Sequence, residues 1–189
     1  MPTALEWLSP REVKHPRLPS ETRWMAMGDL SLLEAECFVP VILSRSLFAD
    51  KLECEIQRIE AAVRAGAVAV GGFISFPEKQ AAKRLAAIPS LRLIRILPQP
   101  LHDYPLTPAV EKRLCEGKTL ILSGIAGSDM TLTRANCVQT NGWITALCEG
   151  RKAPKNGPSI AKKSTFAKPS VPASKTKPPA EDDPAAIFL

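Results

Sequence analysis

The chain has 189 residues, 45% of them hydrophobic, which is enough for one packed domain and a tail. Its formal charge of +6 is unevenly distributed, because residues 151–189 hold eight Lys/Arg against three Asp/Glu and leave +1 for the first 150 residues. Net charge therefore gives no support for a basic, nucleic-acid-binding globular domain.

Residues 1–23 are polar and interrupted by prolines, with a small apolar patch at Leu5, Trp7 and Leu8. They are predicted to be an N-terminal extension, a short turn or helix that packs onto the domain. They lack the apolar run of a signal peptide, and no 18-residue apolar stretch occurs in the sequence. We therefore expect a cytoplasmic protein without a membrane span.

Short apolar runs and longer amphipathic stretches alternate from residue 39 onward. Residues 39–43 are a predicted strand, and apolar residues then recur in steps of four, three and four from Leu52 to Val63, as on one face of a helix. Residues 67–70 are the second predicted strand. The next helix, from about residue 77 to 87, begins with a proline and a glutamate, both of which suit a first helical turn.

The same alternation continues to residue 148. Residues 91–97 and 119–122 are the third and fourth predicted strands, and a helix from about residue 107 to 117 separates them. A last helix, from about residue 132 to 148, is predicted to turn four apolar side chains towards the core: Val138, Trp143, Ile144 and Leu147. The pattern predicts an α/β fold, a Rossmann-like parallel sheet of about four strands with flanking helices, over residues 24–150.

In parallel sheets, ligands bind at the carboxyl ends of the strands. Ser44, Arg45 and Ser46 follow the first predicted strand and precede a helix, so backbone N–H groups and a guanidinium are available there for a phosphate. The alternative is a serine that caps the helix and an arginine exposed to solvent.

The second strand end carries Gly71, Gly72, Phe73 and Ser75. The glycines permit either close approach of the backbone to a ligand or simply a tight turn. Phe73 and the nearby Phe76 are available to stack on a base if exposed, and core packing is the alternative for at least one of them.

Arg134 and Asn136 lie near the beginning of the last helix, where they are positioned either to donate to a phosphate or, for Asn136, to cap the helix. His102 and Asp103 are adjacent in a proline-bounded loop, but no nucleophile accompanies them. The five cysteines form no CxxC or Cys/His cluster and are predicted to be buried free thiols. We expect no catalytic residue, no metal and no cofactor.

An ordered set of segments between residues 24 and 148 resembles the DNA-processing protein A (DprA/Smf) family. Gly28-Asp-Leu-Ser-Leu-Leu33 is similar to its "GDLxLL" stretch, and Ser44-Arg45 to the end of its Gly-Ser-Arg, with Leu43 in place of the glycine. Residues 96–105 resemble "LGxGLDxxYP", residues 120–123 resemble "LLSE", and residues 134–136 loosely resemble "RRNR".

The resemblance implies a Rossmann-like core of the superfamily that includes the LOG phosphoribohydrolases. It also implies single-stranded nucleic acid as partner, a homodimer, and a role as accessory protein in DNA processing or recombination. Two other functions stay open. One is a nucleotide sensor or nucleoside-phosphate hydrolase of the same superfamily, and the other is a protein-interaction scaffold without catalysis.

Residues 151–189 hold seven of the 18 prolines and no Cys, Trp or Tyr, a composition typical of a disordered tail. The segment ends in an acidic and apolar tip that contains Asp182, Asp183, Phe188 and Leu189. This tip resembles that of bacterial single-strand-binding proteins, which implies docking to DNA-maintenance proteins. An unselected disordered end is the alternative.

Overall fold

The computed structural model of the protein describes residues 4–102 and 104–150. Six strands are present in this part of the chain: β1 (Arg11–Val13), β2 (Trp24–Gly28), β3 (Phe38–Val41), β4 (Val68–Gly71), β5 (Leu93–Leu97) and β6 (Thr119–Ser123). Five α-helices accompany them: α1 (Ala4–Leu8), α2 (Ala49–Arg64), α3 (Phe76–Ala86), α4 (Pro108–Cys115) and α5 (Arg134–Glu149). A 3-10 helix covers Leu30–Glu34.

The strands form one sheet in the order β1-β2-β6-β5-β4-β3. Neighbours from β3 to β6 are parallel, whereas β2 is antiparallel to both β6 and β1. The predicted α/β class is therefore confirmed, with six strands instead of about four. The four predicted strands are the parallel ones. The other two escaped prediction because β1 has only three residues and β2 pairs with β6, which is distant in sequence.

Each face of the sheet has its own hydrophobic core, as the alternation of side chains along a strand requires. In β5, Leu93 and Leu97 join the core under α2, α3 and α4. Ile94 and Ile96 join the opposite core, under α5 and the 3-10 helix. Arg95 therefore lies on the same side as Leu93 and Leu97.

The segment that resembles "GDLxLL" has a clear local role. Gly28 has a φ of 102°, and a Cβ there would lie 2.2 Å from the carbonyl oxygen of Thr119, so only glycine fits. Asp29 accepts a hydrogen bond from the Ser31 amide and caps the 3-10 helix, which buries Leu32 and Leu33. The segment thus leads the chain from the end of β2 into the hydrophobic core that lies under α5.

The N-terminal segment packs onto the domain, as predicted. Helix α1 contacts α4, and the Trp7 ring approaches Gly117. Strand β1 also extends the sheet. The domain boundary at residues 23 and 24 stays a prediction, and residues 151–189 lie outside the described part of the chain.

Two predictions about side-chain burial were wrong. Val138 is 40% exposed, because α5 covers the sheet with Trp143, Ile144 and Leu147 while Val138 lies on its outer side. The cysteines are free, but Cys37, Cys54 and Cys115 are exposed. No helix among the described residues is long and apolar enough to cross a membrane.

Candidate functional site

Four parallel strands end at the same edge of the sheet. We call this the strand-end edge and define it as the loops that follow β3, β4, β5 and β6, together with the first turns of α2, α3 and α5. The structure places there every candidate residue that lies within the described part of the chain. Those residues are Ser44, Arg45, Ser46, Gly71, Gly72, Phe73, Ser75, Arg134 and Asn136.

A buried carboxylate ties the first two loops together. Glu78, only 5% exposed, accepts hydrogen bonds from the backbone amides of Ile74 at 2.8 Å and Ser75 at 3.1 Å. It also accepts one from the amide of Leu43 at 3.4 Å. Because these are the amides that a phosphate would use after β3 and β4, the protein's own carboxylate occupies that position.

Ser75 serves the structure of this junction. Its hydroxyl accepts a hydrogen bond from the Glu78 amide at 3.3 Å, which completes a capping box at the beginning of α3. The same hydroxyl donates to the carbonyl of Leu43 at 3.2 Å. Ser75 therefore joins the two loops and is engaged by the protein itself.

The loop after β3 exposes Ser44, Arg45 and Ser46. The Ser44 hydroxyl accepts from the Ser46 amide at 3.2 Å, which makes a local turn, and the N-cap of α2 is Phe48. The alternative of a serine cap is therefore wrong. Arg45 makes no hydrogen bond or ion pair with any described residue.

The charge of Arg45 reaches the first turn of α5. Burial raises the pKa of the Cys137 thiol, while Arg45 acts in the opposite direction. Arg134, at the beginning of the same turn, is exposed and forms no pair with a described residue. The edge therefore carries two free guanidinium groups from different elements.

The two glycines make a tight turn, since a Cβ on Gly71 would lie 2.9 Å from the Phe73 ring. Phe73 has a φ of 54°, a strained conformation for a bulky residue, and its side chain is 1% exposed. The hypothesis that Phe73 stacks on a base is therefore wrong, because its ring lies in the core. Phe76 takes the exposed position, at 77%.

The capping alternative for Asn136 is also wrong. Thr133 is the N-cap of α5, and its hydroxyl accepts a hydrogen bond from the Asn136 amide at 3.1 Å. Asn136 is instead the third residue of the helix and is half-buried.

Sequence reasoning missed two residues at or beside the edge. Phe48, at the beginning of α2, is 77% exposed like Phe76. Arg95, in the middle of β5, is only 9% exposed and lies beside the Tyr104 ring, with its guanidinium carbon 5.5 Å from the ring centre. A charged residue inside the apolar run Leu93–Leu97 was the signal that pointed to Arg95.

Some predicted features fall outside the described residues. Asp103 and the tip residues Asp182, Asp183, Phe188 and Leu189 are not among the described residues. Within residues 4–102 and 104–150, no group of three or more His, Cys, Asp or Glu could hold a metal ion. Docking through the tip stays a prediction, as does the homodimer.

Comparison with known proteins gave two similar structures. DNA processing protein A from Helicobacter pylori, a protein that binds single-stranded DNA, superposes with a TM-score of 0.53 and 21% identity over 74% of this chain and 66% of that chain. DNA processing protein A from Streptococcus pneumoniae gives 0.51 and 20% identity over 77% of this chain and 54% of that chain. No protein-family model and no curated protein matched the sequence.

The chain thus spans less than two thirds of each similar structure. At about one identical residue in five, the likeness shows the fold and leaves the activities of those longer proteins as proposals for this one. The described chain has the α/β fold of DNA processing protein A.

Proposed function

We propose that the protein binds single-stranded DNA across the strand-end edge. The observation that carries the proposal is the pair Phe48 and Phe76, each 77% exposed, at the beginnings of the two helices that follow adjacent parallel strands. Arg45, which pairs with no described residue, lies in the loop between β3 and Phe48. Exposed aromatic rings beside free cations are the groups that single strands use, for base stacking and for phosphate contact.

Magnitudes favour stacking as the main source of affinity. Base–aromatic stacking contributes about 1–3 kcal/mol per base. The first 150 residues carry a charge of only +1, so long-range attraction of phosphates by this part is weak. Arg45 and Arg134 then act locally, each on a nearby phosphate. Because stacking requires unpaired bases, we expect single strands to bind better than duplex.

The similar fold supports the same function. The Helicobacter pylori protein binds single-stranded DNA, and its fold is shared by this chain. Glu78 already accepts hydrogen bonds from the amides of the loops after β3 and β4, so these amides are not offered to a phosphate. The site proposed for this chain therefore depends on its exposed side chains.

The other two functions are compatible with parts of the same edge. A nucleotide sensor would use the cavity beside Arg95, and an interaction scaffold would use the exposed phenylalanines as a protein contact. Both differ from the main proposal in one measurable respect, since neither predicts that Phe48 and Phe76 affect binding of single strands.

The decisive experiment is fluorescence anisotropy of a labelled single strand with full-length protein at low and moderate salt. The double variant Phe48→Ala/Phe76→Ala should lower affinity by roughly 30-fold or more, since two stacking contacts of about 1–3 kcal/mol each are lost. Arg45→Ala should cost about 1–3 kcal/mol, as for a charged hydrogen bond. Arg64→Ala removes the same charge from the other end of α2 and should change affinity much less.

Several outcomes would contradict the proposal. Equal affinity of the wild type and the phenylalanine double variant would show that the edge does not bind the strand. Equal losses for Arg45→Ala and Arg64→Ala would show a non-specific effect of charge, as expected if the basic residues 151–177 were the binder.

A further inference from the structure

A cavity of about 230 Å³ lies at the strand-end edge between the loop after β4 and the loop after β5. Its walls include one buried and one exposed cation, a half-buried amide and an aromatic ring. The residues concerned are Gly72, Lys79, Arg95, Gln99, Tyr104 and Leu132.

Arg95 is a buried cation without a counterion among the described residues. Its side chain is 9% exposed, and its Nε and Nη1 atoms are buried without a hydrogen-bond partner in the described structure. Tyr104 is its one described polar neighbour, through the ring and the side-chain hydroxyl, and no carboxylate of a described residue forms an ion pair with Arg95. An arginine keeps its proton in proteins, so Arg95 brings a positive charge without a described counterion to the wall of this cavity.

Such a charge is costly to the free protein. Burial of an ion without a partner loses its hydration, and an unsatisfied buried donor adds a further penalty. Burial accordingly lowers the pKa of Arg95, and Tyr104 opposes that shift without cancelling it. An apolar residue would suit the position better, because Leu93 and Leu97 flank Arg95 on the same face of β5.

The surroundings select an anion. Lys79, exposed on the first turn of α3, lines the cavity and makes no ion pair with a described residue. Among the described lining residues none is Asp or Glu. Two cations therefore border one small cavity, and the low dielectric around Arg95 strengthens its attraction for a negative group.

We infer that this cavity binds a phosphate monoester, with the Arg95 guanidinium as its fixed cation and the Lys79 ammonium as its second. The inference rests on the proposed function only for the source of the phosphate, which is either a free nucleoside monophosphate or the 5′-phosphate of a single strand. The volume is below the ~300–1,000 Å³ of sites that enclose whole drug-sized ligands, so the phosphate enters and the base stays outside.

The first test measures the melting temperature of the full-length protein in increasing inorganic phosphate, against sodium chloride of equal ionic strength. The wild-type melting temperature should rise with the logarithm of phosphate concentration, as for a ligand that binds only the folded state. Arg95→Met should melt higher than the wild type without phosphate, because the uncompensated charge is gone. The melting temperature of Arg95→Met should rise no more in phosphate than in sodium chloride of equal ionic strength.

Two lysine variants sharpen the test. Lys79→Gln should weaken the apparent phosphate affinity by roughly fivefold, whereas Lys83→Gln, one turn further along α3 and outside the cavity, should not change it. A phosphate response equal to that in chloride would overturn the inference. An unchanged response in Arg95→Met would do the same, since the ion would then bind elsewhere.

The source of the phosphate is decided by two further comparisons. If a nucleoside 5′-monophosphate raises the melting temperature more than its nucleoside does, the ligand is the free nucleotide. If a 5′-phosphorylated strand binds more tightly than the same strand with a 5′-hydroxyl, the ligand is a strand end. Each preference should disappear in Arg95→Met. Failure of the proposed function appears separately, as absence of binding of any single strand while the phosphate response persists.

Discussion

Two neighbouring parts of the strand-end edge differ in how the protein treats a buried charge. Between β3 and β4, the Glu78 carboxylate accepts hydrogen bonds from three backbone amides of the surrounding loops. In the middle of β5, the Arg95 guanidinium has the Tyr104 side chain on one side and two nitrogen atoms without a partner among the described residues. The first charge is compensated by the fold, and the second is not.

The difference separates a structural role from a ligand-binding role. A buried charge that is fully hydrogen-bonded stabilises the loops that supply its partners, so its removal should unfold them. A buried charge that lacks a partner destabilises the free protein, so its removal should make the protein more stable. The following predictions test this contrast from the largest effect to the smallest.

Glu78→Ala should lower the free energy of unfolding by about 3 kcal/mol, because it leaves backbone amides of two loops without an acceptor. Glu78→Gln retains one oxygen acceptor and should cost less. Urea denaturation of both variants measures the difference. A loss below that of an ordinary surface substitution would show that the carboxylate does not hold the loops.

Arg95→Met should raise the free energy of unfolding of the ligand-free protein by about 2 kcal/mol, the opposite sign to Glu78→Ala. Methionine fills a similar volume and suits the core beside Leu93 and Leu97. The same denaturation measurement applies. If this variant were destabilised, Arg95 would be a structural residue and the contrast with Glu78 would fail.

Thr140→Val sharpens the comparison because it removes another buried polar atom without a partner among the described residues. This atom, the Thr140 hydroxyl oxygen, does not line the cavity beside Arg95. The Thr140 hydroxyl is buried on α5 without a partner in the described structure. Its replacement should raise the free energy of unfolding by about 1 kcal/mol. Unlike Arg95→Met, it should leave the response of the melting temperature to phosphate intact.

The smallest effect concerns a compensated cation on the surface. Arg84 on α3 pairs with Glu53 at 2.6 Å and Glu60 at 2.5 Å on α2. Hydrogen bonds from Arg84 and, to a lesser extent, from Gln57 lower the pKa of Glu53 below its ordinary 4.5. A carboxyl with a lowered pKa stabilises the fold above pH 4.5, and this contribution disappears as pH falls through the lower value.

Arg84→Met should therefore return the pKa of Glu53 towards 4.5, which an NMR titration of its side-chain carboxyl measures. The stability difference between wild type and variant should be smaller than that of Glu78→Ala at neutral pH, because Arg84 and Glu53 are both partly exposed to solvent, and it should shrink as the pH falls below 4.5. A stability change as large as that of Glu78→Ala would show that exposure does not distinguish the two carboxylates.

The sequence by itself determined the class of fold and the edge at which we propose that a ligand binds. The alternation of buried strands with amphipathic helices predicts four parallel strands, and their carboxyl ends must meet at one edge. This reasoning places three exposed polar residues at that edge: Ser44, Arg45 and Arg134. It succeeds because the position of a residue along a strand–helix unit is a local property, which hydrophobic periodicity reveals.

Only the tertiary structure decided which side chains are free at that edge. Phe73 and Phe76 are three residues apart and similar in sequence context, yet the left-handed backbone at Phe73 turns its ring into the core while Phe76 stays exposed. Glu78 reaches the amide of Leu43, 35 residues away, and so fills a site that the local pattern left open. Partners of buried charges come from distant segments, and a periodic pattern contains no information about them.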